Sequence, residues 1–329
     1  MTRIAVLAMV LAVTACTTDP SAEDSSAPPA EGTRIVVDVE GTVVEVPQTP
    51  QRVVTLSEPT LDGALALGVQ PIGTVTGRGQ STVPSYLTEH AGDISLLGGV
   101  AQPNFEAIGA VEPDLILVDG TSVNNNPEVI TALRAIAPVV YTGYAGGDWQ
   151  LNFRHTAAAL GMEDEAEKVI SGYEARAGEI AAELEPQYGD KTFSIVRWQG
   201  GGAATILKEL PPGAALEDLG LQRPPSQDMR GRGHSNPVSL ENLEEIDADY
   251  MFFGTLGGSS VDNPQAGGSA NVDDASSALQ LAVDTPGFTQ LAAYRAGTII
   301  PVDGSAWTST GGPLLMTRII EDVREELLE

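Results

Sequence analysis

One pattern occurs twice in this chain and limits what it can fold into. Pro103 to Val118 reads PNFEAIGAVEPDLILV, and Ser239 to Phe253 reads SLENLEEIDADYMFF. At an offset of 135 positions (241 less 106), Phe105 falls on Leu240, Glu106 on Glu241, Ile108 on Leu243, Val111 on Ile246 and Asp114 on Asp249. In each copy a capping residue, Asn104 or Ser239, precedes apolar positions spaced by three, an acidic turn and a short apolar run. That order predicts a capped helix of about two turns feeding a buried strand. In alternating strand and helix units a helix begins where the preceding strand ends, and ligand crevices open at that edge. Two such units predict two similar lobes, with Glu106 and Glu241 on the two rims of a crevice. One glutamate alone suits the positive end of a helix dipole, worth about 0.3–1 kcal/mol. A matched pair reads as twin docking points for a partner that grips both lobes.

The 329 residues suffice for two domains with full cores. Seventeen basic against 45 acidic residues leave a net charge of −28, which argues against nucleic acid as a partner. A small anionic ligand would need a local cluster of cations. Arg3 precedes an apolar run from Ile4 to Val13, too short to span a bilayer, that ends in Val13-Thr14-Ala15-Cys16. Cys16 is the only cysteine, so no disulfide within the chain supports the fold. A lone cysteine directly after such a run resembles the lipobox of bacterial lipoproteins. The resemblance implies a signal segment over residues 1–16 and lipidation of Cys16, whose acyl chains hold the protein on the extracytoplasmic face of the cell membrane. Residues 17–32, TTDPSAEDSSAPPAEG, have the composition of a flexible tether.

The folded part opens with a predicted hairpin over 34–46, turning at Glu40-Gly41. Alternation follows: strand 52–57, helix 59–67, strand 71–75, strand 114–119, helix 127–136 and strand 138–141. Alternation of this kind argues for an α/β fold with a mainly parallel sheet covered by helices. A helix is predicted over 149–160, then a long one over 163–185 that ends before Pro186 and measures roughly 34 Å at about 1.5 Å per residue. A second alternating region has strand 193–198, helix 213–219, the repeated element, helix 286–293, strand 298–302 and a closing amphipathic helix over 313–328. The polar, glycine-rich stretch 257–277 carries no core pattern and reads as a surface loop.

Several stretches in order, among them QRVVTLSEPTLDGALALGVQPIGTV, LGGVAQPNFEAIGAVEPDLILVDG, VSLENLEEIDADYMFF and TPGFTQLAAYRAGTIIPVD, resemble the substrate-binding lipoproteins of bacterial ABC importers for ferric siderophores and cobalamin. The resemblance implies two α/β lobes joined by one long helix, with the ligand in the cleft between them. It divides the chain into an N-terminal lobe over 33–162, a linker helix over 163–186 and a C-terminal lobe over 187–329. It also implies a monomer that binds a ferric siderophore and hands it to ABC permease subunits in the membrane. In that family one glutamate of each lobe pairs with permease arginines, and the matching positions are Glu106 and Glu241.

Ferric catecholates and carboxylate siderophores are anionic, so a cleft on this acidic chain needs guanidinium groups. Arg78 follows strand 71–75, Arg197 and Trp198 end strand 193–198, and Arg230 and Arg232 precede the second glutamate element. Trp307 lies between the last strand and the last helix, and Trp149 opens a helix after a strand. The candidate ligand-binding set is therefore Arg78, Arg197, Trp198, Arg230, Trp149 and Trp307, with Arg78 and Arg197 foremost. Arg197 and Trp198 are neighbours on a strand and point to opposite faces, so at most one of them reaches the cleft. His90, His155 and His234 lack metal-ligand spacing, so no metal is expected on the protein itself, and iron enters only as part of a bound siderophore. Haem capture would want an axial ligand, for which Tyr141, Tyr144 and His234 remain open; cobalamin is the other alternative on this scaffold. A non-transport sensor is a further reading. An exported enzyme is disfavoured, since no nucleophile elbow, Walker loop or HExxH motif occurs.

Overall fold

A computed structural model describes residues 31–123, 126–144, 147–228, 234–257 and 269–328. The chain enters through an antiparallel hairpin, β1 (Thr33–Val37) and β2 (Val43–Pro47), whose alternate residues Val36, Val44 and Val46 turn inward. The Asp38 carboxylate holds its turn by accepting from the amides of Glu40 (3.0 Å) and Thr42 (2.8 Å).

The first sheet contains β3 (Val53–Thr55), β4 (Gly73–Thr76), β5 (Ser95–Gly99), β6 (Gln102–Pro103), β7 (Leu115–Val118) and β8 (Val139–Tyr141), in the order β6-β5-β4-β3-β7-β8. All its pairings are parallel except that of β6 with β5. The second sheet contains β9 (Phe193–Gln199), β10 (Gly202–Ile206), β11 (Ser235–Val238), β12 (Tyr250–Gly254) and β13 (Ile299–Pro301), in the order β11-β10-β9-β12-β13. Here β9, β12 and β13 run parallel, and β10 is antiparallel to both neighbours.

The repeated motif builds the same joint in both sheets. Asp114, just before β7, accepts from the amides of Gln51 (2.8 Å) and Arg52 (2.9 Å) and so pins the start of β3 beside β7. Asp249, just before β12, accepts from the Thr192 amide (2.8 Å) and pins β9 beside β12. The elements before these aspartates differ. Phe105–Ala110 is a short α-helix capped by Asn104, whereas Leu240–Ile246 is 3₁₀ helix broken at Asn242, so the second copy is not the regular helix its spacing predicts.

Two long helices join the lobes. The linker helix, Glu163–Tyr188, buries Ala166, Ile170, Tyr173, Ala177, Ile180 and Leu184 at helical spacing and places Glu163, Asp164 and Glu165 in its first turn, where the dipole favours them. It runs through Pro186 rather than stopping before it. A proline so near the C-terminus removes only its own amide bond and leaves the last turn intact. The closing helix, Pro313–Leu328, buries Leu315, Met316, Ile319, Ile320, Val323 and Leu327. It packs on the linker helix, on helix Pro211–Asp218 of the second lobe and on helix Glu58–Ala66 of the first. One hydrophobic core therefore runs from Val53, Leu61 and Leu117 through Ile170 and Ile180 to Phe193, Phe252 and Trp307. Each large side chain sealed in it contributes about 1.5–3 kcal/mol.

The glycine-rich stretch departs from its reading as loop. A helix begins inside it at Val272, capped by Asn271 Oδ1 on the Asp274 amide (2.9 Å), and buries Ala275 and Ala282. Residues 286–293 are split between a 3₁₀ turn, Phe288–Gln290, and a helix, Ala292–Ala296, because Leu291 between them is extended.

Asp62, fully enclosed on the first lobe's helix, caps the closing helix by accepting from the amides of Leu314 (2.9 Å) and Leu315 (3.0 Å), and it also accepts from the Tyr86 hydroxyl (3.0 Å). Replacing Asp62 with Ala strands three donors, two of them buried, and is expected to cost roughly 2–4 kcal/mol, read as a fall of several degrees in the thermal midpoint.

Candidate functional site

The C-terminal ends of the strands in the two sheets face each other, and the loop after β4 comes close to the other lobe. Gly79 adopts a left-handed conformation (φ +67°), and a Cβ there would stand 3.0 Å from the Gly257 carbonyl of the other lobe. Only glycine lets the two backbones come this close. The loop is held from behind by Glu58, whose Oε1 accepts from the Arg78 amide at 2.7 Å and from Ser309 Oγ at 3.4 Å. Ser85 of the first lobe adds further contacts across the gap, to Asp303 Oδ1 (3.0 Å) and Ser305 Oγ (2.9 Å).

Arg78 projects from this loop, and Arg197 comes from the opposite lobe at the end of β9. Nη2 of Arg197 donates to Ser235 Oγ at 2.6 Å and Nη1 approaches the Thr308 carbonyl at 3.4 Å, so the fork is fixed by its surroundings. Burial, and then the like charge of Arg78, lower its pKa. His234, which directly precedes β11, feels the same field: burial first, then Arg78 and Arg197, push its pKa down to about 3. Three nitrogenous side chains from two lobes thus converge on one space, on a chain with far more acids than bases. Such an arrangement suits an anion.

The tryptophans do not join this cluster. Trp198 points to the other face of β9, stacked on Phe253 (6.0 Å between ring centroids) and edge-on to Phe288 (5.6 Å). Strand alternation sends Arg197 one way and Trp198 the other. Trp307 is fully buried against Phe252 (4.1 Å) and donates from Nε1 to Asp322 Oδ2 (2.8 Å). Trp149 packs edge-on to Tyr173 of the linker helix (5.1 Å) and borders a depression of about 330 Å³ lined by Asp148, Glu209, Glu217 and Asp218 with Lys208, an acidic place for an anionic ligand. Their apolar area goes to cores, which corrects the assignment of all three to the ligand. Tyr141, buried in the first sheet, is likewise sealed from an axial role toward haem, while Tyr144 stays partly exposed. Arg230, Arg232 and Cys16 lie outside the described residues. Among the described residues no cluster of three His, Cys, Asp or Glu could hold a metal ion, and no helix is long and apolar enough to cross a membrane.

Glu106 and Glu241 are both exposed, each in the first turn after the outermost strand of its sheet, β6 and β11. Neither makes an ion pair among the described residues. Sequence reasoning missed Glu58, Asp62 and the hydroxyls of Ser235 and Ser85, and it weighed His234 only as an axial ligand. Ser57-Glu58-Pro59-Thr60, a capping sequence at a strand end, was the available signal for Glu58.

Two α/β lobes bridged by a long helix, with a cation-lined cleft between strand ends, define a two-lobed binding protein. The periplasmic binding protein family model matches residues 53–306, and the chain belongs to that family. Among its relatives, the probable siderophore-binding lipoprotein YfiY of Bacillus subtilis is 28% identical over 98% of this chain and 96% of that protein. The Fe(3+)-citrate-binding protein YfmC of the same organism is 24% identical over 92% and 88%. The crystal structure of Staphylococcus aureus SirA complexed with staphyloferrin B shares the fold, with a TM-score of 0.73 at 23% identity over 90% of this chain and 98% of that one.

A histidine that is neutral when folded and titrates near its ordinary value when unfolded makes the unfolded state the better proton acceptor between those values. Its contribution is intact above about pH 6.5 and is lost as pH falls toward 3. Chemical unfolding at stepped pH is therefore expected to show a shallower acid-side loss in His234→Gln than in wild type, by up to about 1.4 kcal/mol per pH unit.

Proposed function

We propose that this protein is the extracytoplasmic binding component of an ABC importer. It captures an anionic ferric siderophore between its lobes and delivers it to the permease. The observation that carries this reading is the convergence of Arg78 and Arg197 from opposite lobes, with His234 beside them, on a strongly acidic chain. Guanidinium forks suit carboxylate and catecholate oxygens, and a cationic lining favours a polyanionic ferric complex over cobalamin or haem. The names of the relatives, siderophore- and ferric-citrate-binding proteins, support the same class of cargo. Iron belongs to the cargo, no resident cofactor is invoked, and the ligand leaves unchanged.

Glu106 and Glu241, exposed on matching elements of the two lobes, serve as docking points for arginines of the two permease subunits. Cys16 carries the lipid anchor that keeps a single copy near the membrane, and residues 17–32 give it reach.

Calorimetric titration with ferric citrate, ferric catecholate and ferric hydroxamate complexes tests the cargo, with haem and cobalamin as controls. Saturable binding of an anionic ferric class is expected, and Arg197→Ala should weaken it by about 2 kcal/mol or more, roughly thirtyfold. Saturation by haem or cobalamin alone would refute the assignment. Exchanging Glu106 and Glu241 together for Ala should abolish cellular uptake while the ligand affinity stays within about twofold, since exposed rim charges contribute little to a distant site. A parallel loss of affinity would count against the docking role.

A further inference from the structure

Phe105 is the one exposed phenylalanine of six: it stands 37% exposed on the first lobe, while the other five are buried. Leu240, its counterpart at the offset of 135, is 43% exposed on the second lobe. The motif's next apolar pair, Ile108 and Leu243, is buried in both copies. A lone exposed apolar side chain is ordinary on a protein surface. Here exposure recurs at matched positions, although one copy is α-helix and the other 3₁₀ helix, so the local backbone does not account for it. Nor does Phe105 staple its helix end, since with Asn104 as the cap that contact falls to Pro103 and Ile108.

Each of these side chains directly precedes an exposed glutamate, Glu106 or Glu241, that forms no ion pair among the described residues. Glu112 in the first stretch and Glu244 and Glu245 in the second are exposed as well, and neither 95–112 nor 235–249 contains a lysine or arginine. Both faces therefore combine an apolar side chain with negative charge, which complements a surface that offers arginine beside an apolar recess. An apolar group seated next to an ion pair excludes water from it and strengthens it. The two faces are unequal. The Asn104 amide donates to the Leu97 carbonyl (2.8 Å), and the next step of that antiparallel register lies at Leu96, which is exposed too. On the second lobe the register of β11 with β10, continued past Val238, meets only Gly202 and Gly201. We propose that Phe105 and Leu240 are apolar anchors for the permease: each enters a recess on one permease subunit beside the arginine that meets its glutamate, and the first lobe, where Leu96 extends the apolar face, supplies the larger share. The inference rests on the reading of Glu106 and Glu241 as docking points. One core spans both lobes, so the two anchors keep a set spacing and engage together.

The test is iron uptake by cells carrying the full-length chain, measured with radioactive iron in the ferric complex that saturates wild type in titration. Phe105→Ser should reduce uptake by about tenfold or more and Leu240→Ser by less, while ligand affinity stays within about twofold and the thermal midpoint is unchanged. Phe105→Leu should restore most of the uptake. Leu281→Ser, at an exposed leucine of the helix that packs on β9, β12 and β13, should leave it at the wild-type level. If the paired Phe105→Ser and Leu240→Ser exchange leaves uptake intact while the paired glutamate exchange abolishes it, the anchors are refuted and the docking reading stands. Intact uptake in both pairs would sink the docking reading and this inference with it. A photo-crosslinking residue in place of Phe105 should join the chain to a permease subunit, identified by mass spectrometry. A product that joins two copies of this chain, or no crosslink to a permease subunit, would overturn the proposal. If wild type imports none of the ferric complexes, the transport reading falls, and the anchors fall with it.

Discussion

The whole arrangement depends on a core that does not stop at the lobe boundary. In many two-lobed proteins separate cores leave the lobes free to hinge, as interfaces between domains are small and polar. Here the linker and closing helices lay apolar stripes against helices of both lobes, so Leu61, Ile180, Phe252 and Trp307 belong to one packed cluster. Asp62 adds a directional tie, because it sits on a helix of the first lobe and caps a helix that packs on the second. A close-packed interior deforms little. The two rims of the cleft are thereby held at a set separation, and the site is organised before a ligand arrives, which lowers the entropy lost on binding.

That rigidity has an electrostatic counterpart. Surface acids of this chain are in water and screened within about 8 Å at physiological salt. Arg197 and His234 are largely withdrawn from water, and there burial and like charge act together to lower both pKa values. Relaxed side chains would move apart. The Ser235 hydroxyl holds the Arg197 fork, and the Arg78 loop is held by Glu58 and by the close glycine contact with the other lobe. The fold thus gathers positive charge from both lobes, which is how a net acidic protein can attract an acidic ligand at one place.

Much of the fold was legible in local pattern. The double motif announced two related lobes, and its aspartates perform the same strand-pinning task in each sheet. The long helix was readable from its spacing, save that Pro186 proved compatible with a last turn. The cleft was legible only in part. Arg78 and Arg197 stand at strand ends, where periodicity can place them, and alternation already separated Arg197 from Trp198. Trp149 and Trp307 were misread because a residue at a strand or helix end can turn inward or outward, and the neighbouring Tyr173 and Phe252 that draw the rings inward are distant in sequence. His234 carried no motif. Its significance comes from two arginines 156 and 37 positions earlier in the chain (234 less 78, and 234 less 197).

The sequence by itself determined the alternation of strand and helix, the two-lobed plan, the long connection and the acidic balance, because these follow from periodicity, capping and composition. Only the tertiary structure decided which side chains face one another across the gap. It sent the tryptophans to the cores, ran one core through both lobes and brought His234 into the field of two cations. The physical reason is that packing and electrostatic fields are sums over neighbours in space, and these neighbours come from opposite lobes.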